Sequence, residues 1–172
     1  MKLVASILLL ALPFEADFRE ICGNRYLDRA TTAMCESGMN PKARSFDGGE
    51  GLGQPTGKTW PWYLSKGWVP KGSTPFEVRP AIMGINRHEG YLEARFRAKG
   101  VVDPYLNWIA AGMAYNGGEK QAWTAIQDAE IAGLPGPEGW LAALHGKGAK
   151  YTPNYIRHKI RVRAQYRKQF GG

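Results

Sequence analysis

Glu36 is the residue with the clearest capacity for chemistry in this chain. It stands in the run Cys35-Glu36-Ser37-Gly38-Met39-Asn40-Pro41, shortly before Gly51-Leu52-Gly53-Gln54. Apolar residues at Tyr26, Leu27, Ala30, Ala33 and Met34 follow the three-and-four spacing of an amphipathic helix, with Gly38 as its stop and Pro41 beyond. Glu36 then falls in the last helical turn. There the partial negative charge of the helix end disfavours an ionised carboxylate, and desolvation against Met34 and Met39 acts in the same direction. A raised pKa is what proton donation near neutrality requires. Taken alone, a glutamate is most often a solvated surface residue. The loop that follows is what singles this one out.

Residues 47–57 hold five glycines, which permit positive φ angles and close approach of a backbone to a ligand. The loop is not a phosphate cradle, because Lys58 follows Thr56-Gly57 in the wrong order for a P-loop and no strand pattern precedes it. Gln54 supplies a neutral donor and acceptor beside the acid, suited to an amide or hydroxyl of an uncharged polymer.

These residues resemble the motifs of the soluble lytic transglycosylases of the lysozyme-like superfamily, which cleave the glycan of bacterial peptidoglycan. The first motif is matched by Glu36, Ser37, Gly38, Asn40 and Pro41, with Ala43 and Ser45 also in family positions. The second, usually Gly-Leu-Met-Gln, reads Gly51-Leu52-Gly53-Gln54 and is followed by Thr59-Trp60. Gly53 departs from the usual methionine, so a packing contact beside the acid is expected to be missing. The third is Ala114-Tyr115-Asn116-Gly117-Gly118, which closes the apolar run Trp108 to Met113. A fourth, weaker match is Asn154-Tyr155-Ile156, and residues 76–92 look like the family's long intervening helix. The matches keep the family's order over residues 30–160.

The resemblance implies that Glu36 is the sole acid and base, giving 1,6-anhydromuramyl ends from the MurNAc-GlcNAc β-1,4 bond. Ser37, Gln54, Tyr115, Asn116 and Tyr155 would position Glu36 and the sugar. No metal or other cofactor is implied, and the expected partner is the peptidoglycan glycan strand, bound by a monomer. The nearest rival is a lysozyme-type hydrolase, which needs two carboxylates about 5 Å apart if retaining and about 6.5–9.5 Å apart if inverting. Glu50 and Asp47 are the candidate second carboxylates. A peptidoglycan endopeptidase on the same frame is a further alternative. His88, His145 and His158 are too scattered in sequence to show zinc-ligand spacing.

The chain of 172 residues, 44% apolar and 12% aromatic, is long enough for one substantial core. Gly and Pro punctuate it at 47–57, 69–75, 133–139 and 146–153. Few runs alternate with period two. The expected fold is mainly α, a lysozyme-like (α+β superfamily) single domain over residues 15–172 with a small or absent β region near the glycine-rich loop. Residues 1–14 form an apolar N-terminal segment, shorter than the about 20 residues of a membrane span, that reads as signal-like, as an anchor or as a buried helix. With the resemblance, this places the protein in the periplasm or cell wall, exported or virion-associated. Small basic enzymes of this sort serve phage lysis or penetration, secretion or conjugation machines and wall turnover, and phage use is the setting we favour.

Cys22 and Cys35 are separated by a helix of about ten residues, roughly 15 Å, which exceeds the about 7 Å Cα reach of a disulfide. Cys35 is expected to be a small apolar neighbour of the acid. Residues 139–172 hold eight Lys or Arg and no acid, which equals the whole net charge of +8. A basic C-terminal segment is thus offered to something anionic, whether teichoic acid, peptidoglycan carboxylates or a phospholipid surface, or is simply a solvated helix face. Nucleic acid binding is the reading of another class, favoured by the basic charge and by Tyr151, Tyr155 and Tyr166 among the cations. It accounts for the tail but leaves Glu36, the glycine loop and Tyr115-Asn116 without a role.

Overall fold

The computed structural model describes residues 11–146, 148–149 and 151–170. Within them the chain folds into α1 (Glu15–Cys22), a 3-10 turn (Gly23–Arg25), α2 (Tyr26–Ser37), α3 (Thr59–Ser65), α4 (Val78–Ala98), α5 (Pro104–Gly117), α6 (Glu119–Ile131), α7 (Pro137–Gly146) and α8 (Thr152–Phe170). Among the described residues the β pairing is a single antiparallel bridge, Arg44 with Glu50, inside the glycine-rich loop. The mainly helical expectation is met, with β structure reduced to that bridge. Residues 1–10 of the apolar N-terminal segment lie outside the described residues, while Leu12 is buried with Phe18 and Cys22 of α1.

α5 is the central helix. Asp103 caps it, its side chain accepting from the backbone N–H groups of Tyr105 and Leu106, and Pro104 occupies the first turn where no donor is lost. Residues Asn107 to Ala114 are then buried on every side, because α4, α6 and α8 pack around them. This is the buried helix that the run Trp108 to Met113 predicts. α2 packs against α8, α4 and α1 in a second core formed by Phe18, Leu27, Leu52, Ile82 and Ile85.

Three helices place charged residues where amphipathic spacing calls for apolar ones. Glu89 and Glu93 stand on the buried stripe of α4, Lys159 on that of α8, and Asp28 and Arg29 on that of α2. They meet one another. Glu89 accepts from Lys159, from the Thr32 hydroxyl and from Arg29 at 2.7 Å. Arg29 also donates to Glu93 at 2.7 and 3.3 Å, Arg25 bridges Glu93 and Asp28, and Arg163 donates to Asp28. Two of the eight C-terminal cations therefore serve the interior. Lys159 is 1% exposed, and Arg163 lies 4.4 Å over the Trp108 ring, so the segment is not the wholly outward-facing charge expected from its composition. Arg161, Arg167 and Lys168 remain exposed.

The glycine-rich loop is held to this frame by Leu52, fully buried, and by Gly51, whose φ of +70° no side chain adopts easily. A Cβ at Gly51 would lie 1.8 Å from the Pro75 carbonyl oxygen.

Replacing one member of the buried charge layer leaves its partners desolvated and uncompensated. We expect Lys159→Met to cost about 3–5 kcal/mol, measured as a lower urea midpoint at unchanged m-value.

Candidate active site

A cleft of about 260 Å³ opens between the end of α2, the glycine-rich loop, α3, α4 and the end of α5, and Glu36 lies in its wall. α2 reaches that position because Gly38 adopts φ 62° at its C-cap and returns its N–H to Met34. Glu36 as a whole is partly buried. Its Oε1 atom is out of reach of solvent and has no hydrogen-bond partner among the described residues.

That burial raises the Glu36 pKa to about 7. The Tyr155 hydroxyl and the Lys159 charge oppose the rise, while the Glu89 and Asp47 carboxylates add to it. Tyr155 adjoins the acid from α8 without reaching full hydrogen-bond geometry, so its hydroxyl is also buried without a partner among the described residues. Desolvation is the dominant cause, as the apolar flank of Met34 and Met39 led us to expect, and Met39 is indeed buried.

The other sequence-chosen residues divide into those in the cleft and those behind it. Gln54, Tyr115 and Asn116 line it together with Asp47. Gln54 has a left-handed backbone, φ 50°, and its amide donates to the Gly51 carbonyl at 2.6 Å, which stiffens the loop beside the acid. The Tyr115 hydroxyl donates to the Gly53 carbonyl at 2.9 Å, and burial raises its pKa well above the ordinary tyrosine value. Ser37 does not line the cleft. Its hydroxyl donates back to the Ala33 carbonyl within α2 at 3.0 Å.

The two candidate second carboxylates separate as well. Asp47 is an exposed rim residue that accepts from the Ser45 hydroxyl, a bond that lowers its pKa and keeps it ionised. Glu50 is absent from the cleft lining and pairs with Arg44 at 2.9 Å.

No packing is missing at Gly53, contrary to expectation. A Cβ there would come within 2.6 Å of Ile85 Cγ1 and 3.0 Å of the Tyr115 hydroxyl. Ile85, reaching in from α4, fills the space beside the loop backbone.

Tyr63 on α3 and His88 on α4 are among the cleft residues not singled out from the sequence. Tyr63 Oη lies 2.8 Å from His88 Nδ1, and the His88 ring packs against Tyr115 at 4.9 Å between centroids. The signal for His88 was the stripe Ile85, His88, Glu89, Leu92, where a histidine and a glutamate interrupt an apolar helix face. Cys22 and Cys35 are both free thiols, with burial raising each to about 12. Among the described residues no three His, Cys, Asp or Glu side chains converge as a metal site.

Comparison with solved structures identifies the architecture. The 70 kDa soluble lytic transglycosylase Slt70 from Escherichia coli matches with a TM-score of 0.70 at 22% identity. A complex of the 70-kDa soluble lytic transglycosylase with bulgecin A matches with a TM-score of 0.77 at 20% identity. Each match covers 94% of this chain and 25% of the other, so the chain spans a quarter of the length of those enzymes. No family model and no curated protein sequence matches the chain. The lysozyme-like fold implied by the motifs is the fold observed.

The raised pKa of Glu36 carries a stability consequence with a definite sign. A carboxyl raised from 4.5 to about 7 contributes stability that is complete below pH 4.5 and is lost as pH rises through 7. We therefore expect Glu36→Gln to be more stable than the wild type at pH 8 by up to roughly 3 kcal/mol, with the difference vanishing near pH 4, as read by urea unfolding at both pH values. Gly53→Met, which introduces the methionine usual in the soluble lytic transglycosylases, should by contrast lower stability by about 1–3 kcal/mol, because Ile85 occupies the space; melting temperature would report it.

Proposed function

We propose that this chain, built on the fold of the soluble lytic transglycosylases, cleaves peptidoglycan glycan strands as a lytic transglycosylase with Glu36 as acid and then base. The observation that carries this reading is the desolvated Glu36 carboxyl with a pKa of about 7 in the wall of a polar cleft. Such a group is protonated often enough to donate and basic enough, once ionised, to accept.

In this mechanism Glu36 gives its proton to the glycosidic oxygen as the C1–O bond breaks and the sugar leaving group departs with a new hydroxyl. The muramyl 6-hydroxyl then attacks C1, and the Glu36 carboxylate takes the proton that this hydroxyl releases. The products are a 1,6-anhydromuramyl end and a restored acid, with no water consumed. Gln54, Tyr115 and Asn116 would hold the sugar, and Tyr155 and Ser37 would support the acid from behind. A one-carboxylate route fits the separate fates of the other acids, Glu50 engaged by Arg44 and Asp47 ionised on the rim. The protein would act as a monomer in the periplasm or cell wall, with exposed Arg161, Arg167 and Lys168 available to an anionic surface.

Mass spectra of fragments released from purified peptidoglycan test the reading, with Glu36→Gln and Asp47→Asn run beside the wild type. Anhydromuramyl ends that fall by roughly 10²–10⁴-fold in Glu36→Gln and persist in Asp47→Asn are the expected result. Reducing ends that require Asp47 would make the protein a two-carboxylate hydrolase, and freed peptides with intact glycan would make it an endopeptidase.

A further inference from the structure

His88 lines the same cleft as Glu36, and the one-carboxylate mechanism leaves it without a task. Its ring is fixed from several sides. Trp62, Tyr63, Trp68 and Tyr115 pack around it at centroid distances of 5.4, 5.5, 6.2 and 4.9 Å. Nδ1 is held by the Tyr63 hydroxyl. The remaining nitrogen, Nε2, makes no hydrogen bond among the described residues and is the polar atom that the ring can offer to the cleft.

The hydrogen bonds behind the ring occupy Nδ1 and leave Nε2. The Gly53 carbonyl can only accept, so the Tyr115 hydroxyl donates to it. The Tyr63 hydroxyl and His88 Nδ1 share one proton between them. A neutral, rotationally fixed ring nitrogen beside an acid, within aromatic walls, suits an uncharged sugar better than an ionic group.

Resting on the function proposed above, we infer that His88 is a substrate-contacting residue whose Nε2 hydrogen-bonds a hydroxyl or the N-acetyl group of the glycan. The titratable groups around His88 are Tyr63 from α3, Tyr115 from α5, Glu89 from its own helix, and Glu36 and Asp47 across the cleft. Burial holds His88 near pKa 4 against the attraction of Glu89, consistent with a neutral ring through the working range.

The test compares KM and kcat for the wild type, His88→Phe and His88→Gln, with circular dichroism confirming a folded protein. Phenylalanine fills the aromatic hub without a hydrogen-bonding group, so a rise in KM on the order of tenfold is expected. Glutamine retains a hydrogen-bonding group, so its KM should lie nearer the wild type. Wild-type KM in His88→Phe, or a KM in His88→Gln raised as far as in His88→Phe, would overturn the assignment and leave a purely structural histidine. A second measurement is independent of turnover. In folded Glu36→Gln protein, titration of chitotetraose should shift the His88 ring signals seen by proton NMR, with His88→Gln identifying them among those of His145 and His158. Chitotetraose binding without that shift would refute the role of His88 and leave the glycan reading standing. Absence of binding to both chitotetraose and purified peptidoglycan would overturn both.

Discussion

The buried ion layer joining α2, α4 and α8 is the constraint on which the rest of the molecule depends. Glu89 is fully buried, a position that costs an isolated carboxylate several kcal/mol. Lys159, Arg29 and Thr32 surround it with enough charge and hydrogen bonding to hold it ionised, at a pKa of about 2 despite that burial. Satisfying Glu89 requires all three helices at once, so their mutual register is set by it. The functional layer lies one helical turn away. Thr32 and Glu36 are four residues apart on α2, and Tyr155 and Lys159 are four apart on α8, so the groups that clamp Glu89 fix the helix faces that present the acid and its neighbour. On α4 the residue beside Glu89 is His88, and one turn earlier Ile85 supports the loop at Gly53.

Two glutamates in this small volume are driven in opposite directions by the same burial. Glu89 has partners for its charge and stays an anion. Glu36 has a tyrosine hydroxyl nearby that misses full geometry and a lysine already committed to Glu89, so desolvation prevails and its proton is retained. The contrast explains why a protonated carboxyl can sit beside a buried lysine without being discharged by it. It also explains a cost: the site stores an unsatisfied carboxyl oxygen where a stable core would place a paired or apolar group.

Much of this was legible in the sequence because it is local. The end of α2 at Gly38, the buried run of α5 and the breaks at Gly and Pro follow from short-range rules, and the motifs brought Glu36, Gln54, Tyr115 and Asn116 to one cleft. What was not legible depends on direction and on partners distant in the chain. Lys159 and Arg163 belong to a basic segment whose composition suggests a surface, and only the stripe Thr152, Ile156, Lys159, Val162, Tyr166 marks Lys159 as internal. Gly53 looked like a lost contact because Ile85, 32 positions later, supplies it. Asp47 and Glu50 are three residues apart in a loop without periodicity, so no pattern could say that one faces the cleft and the other pairs with Arg44.

The most direct test of the account is the titration of the Glu36 side-chain carboxyl by carbon NMR, with Glu36→Gln used to identify the signal. An apparent pKa near 7, well separated from the other glutamates, is what a desolvated proton donor requires. A value near 4.5 would mean that the carboxyl is solvated and ionised at neutral pH, and the assignment of Glu36 as the acid would fail.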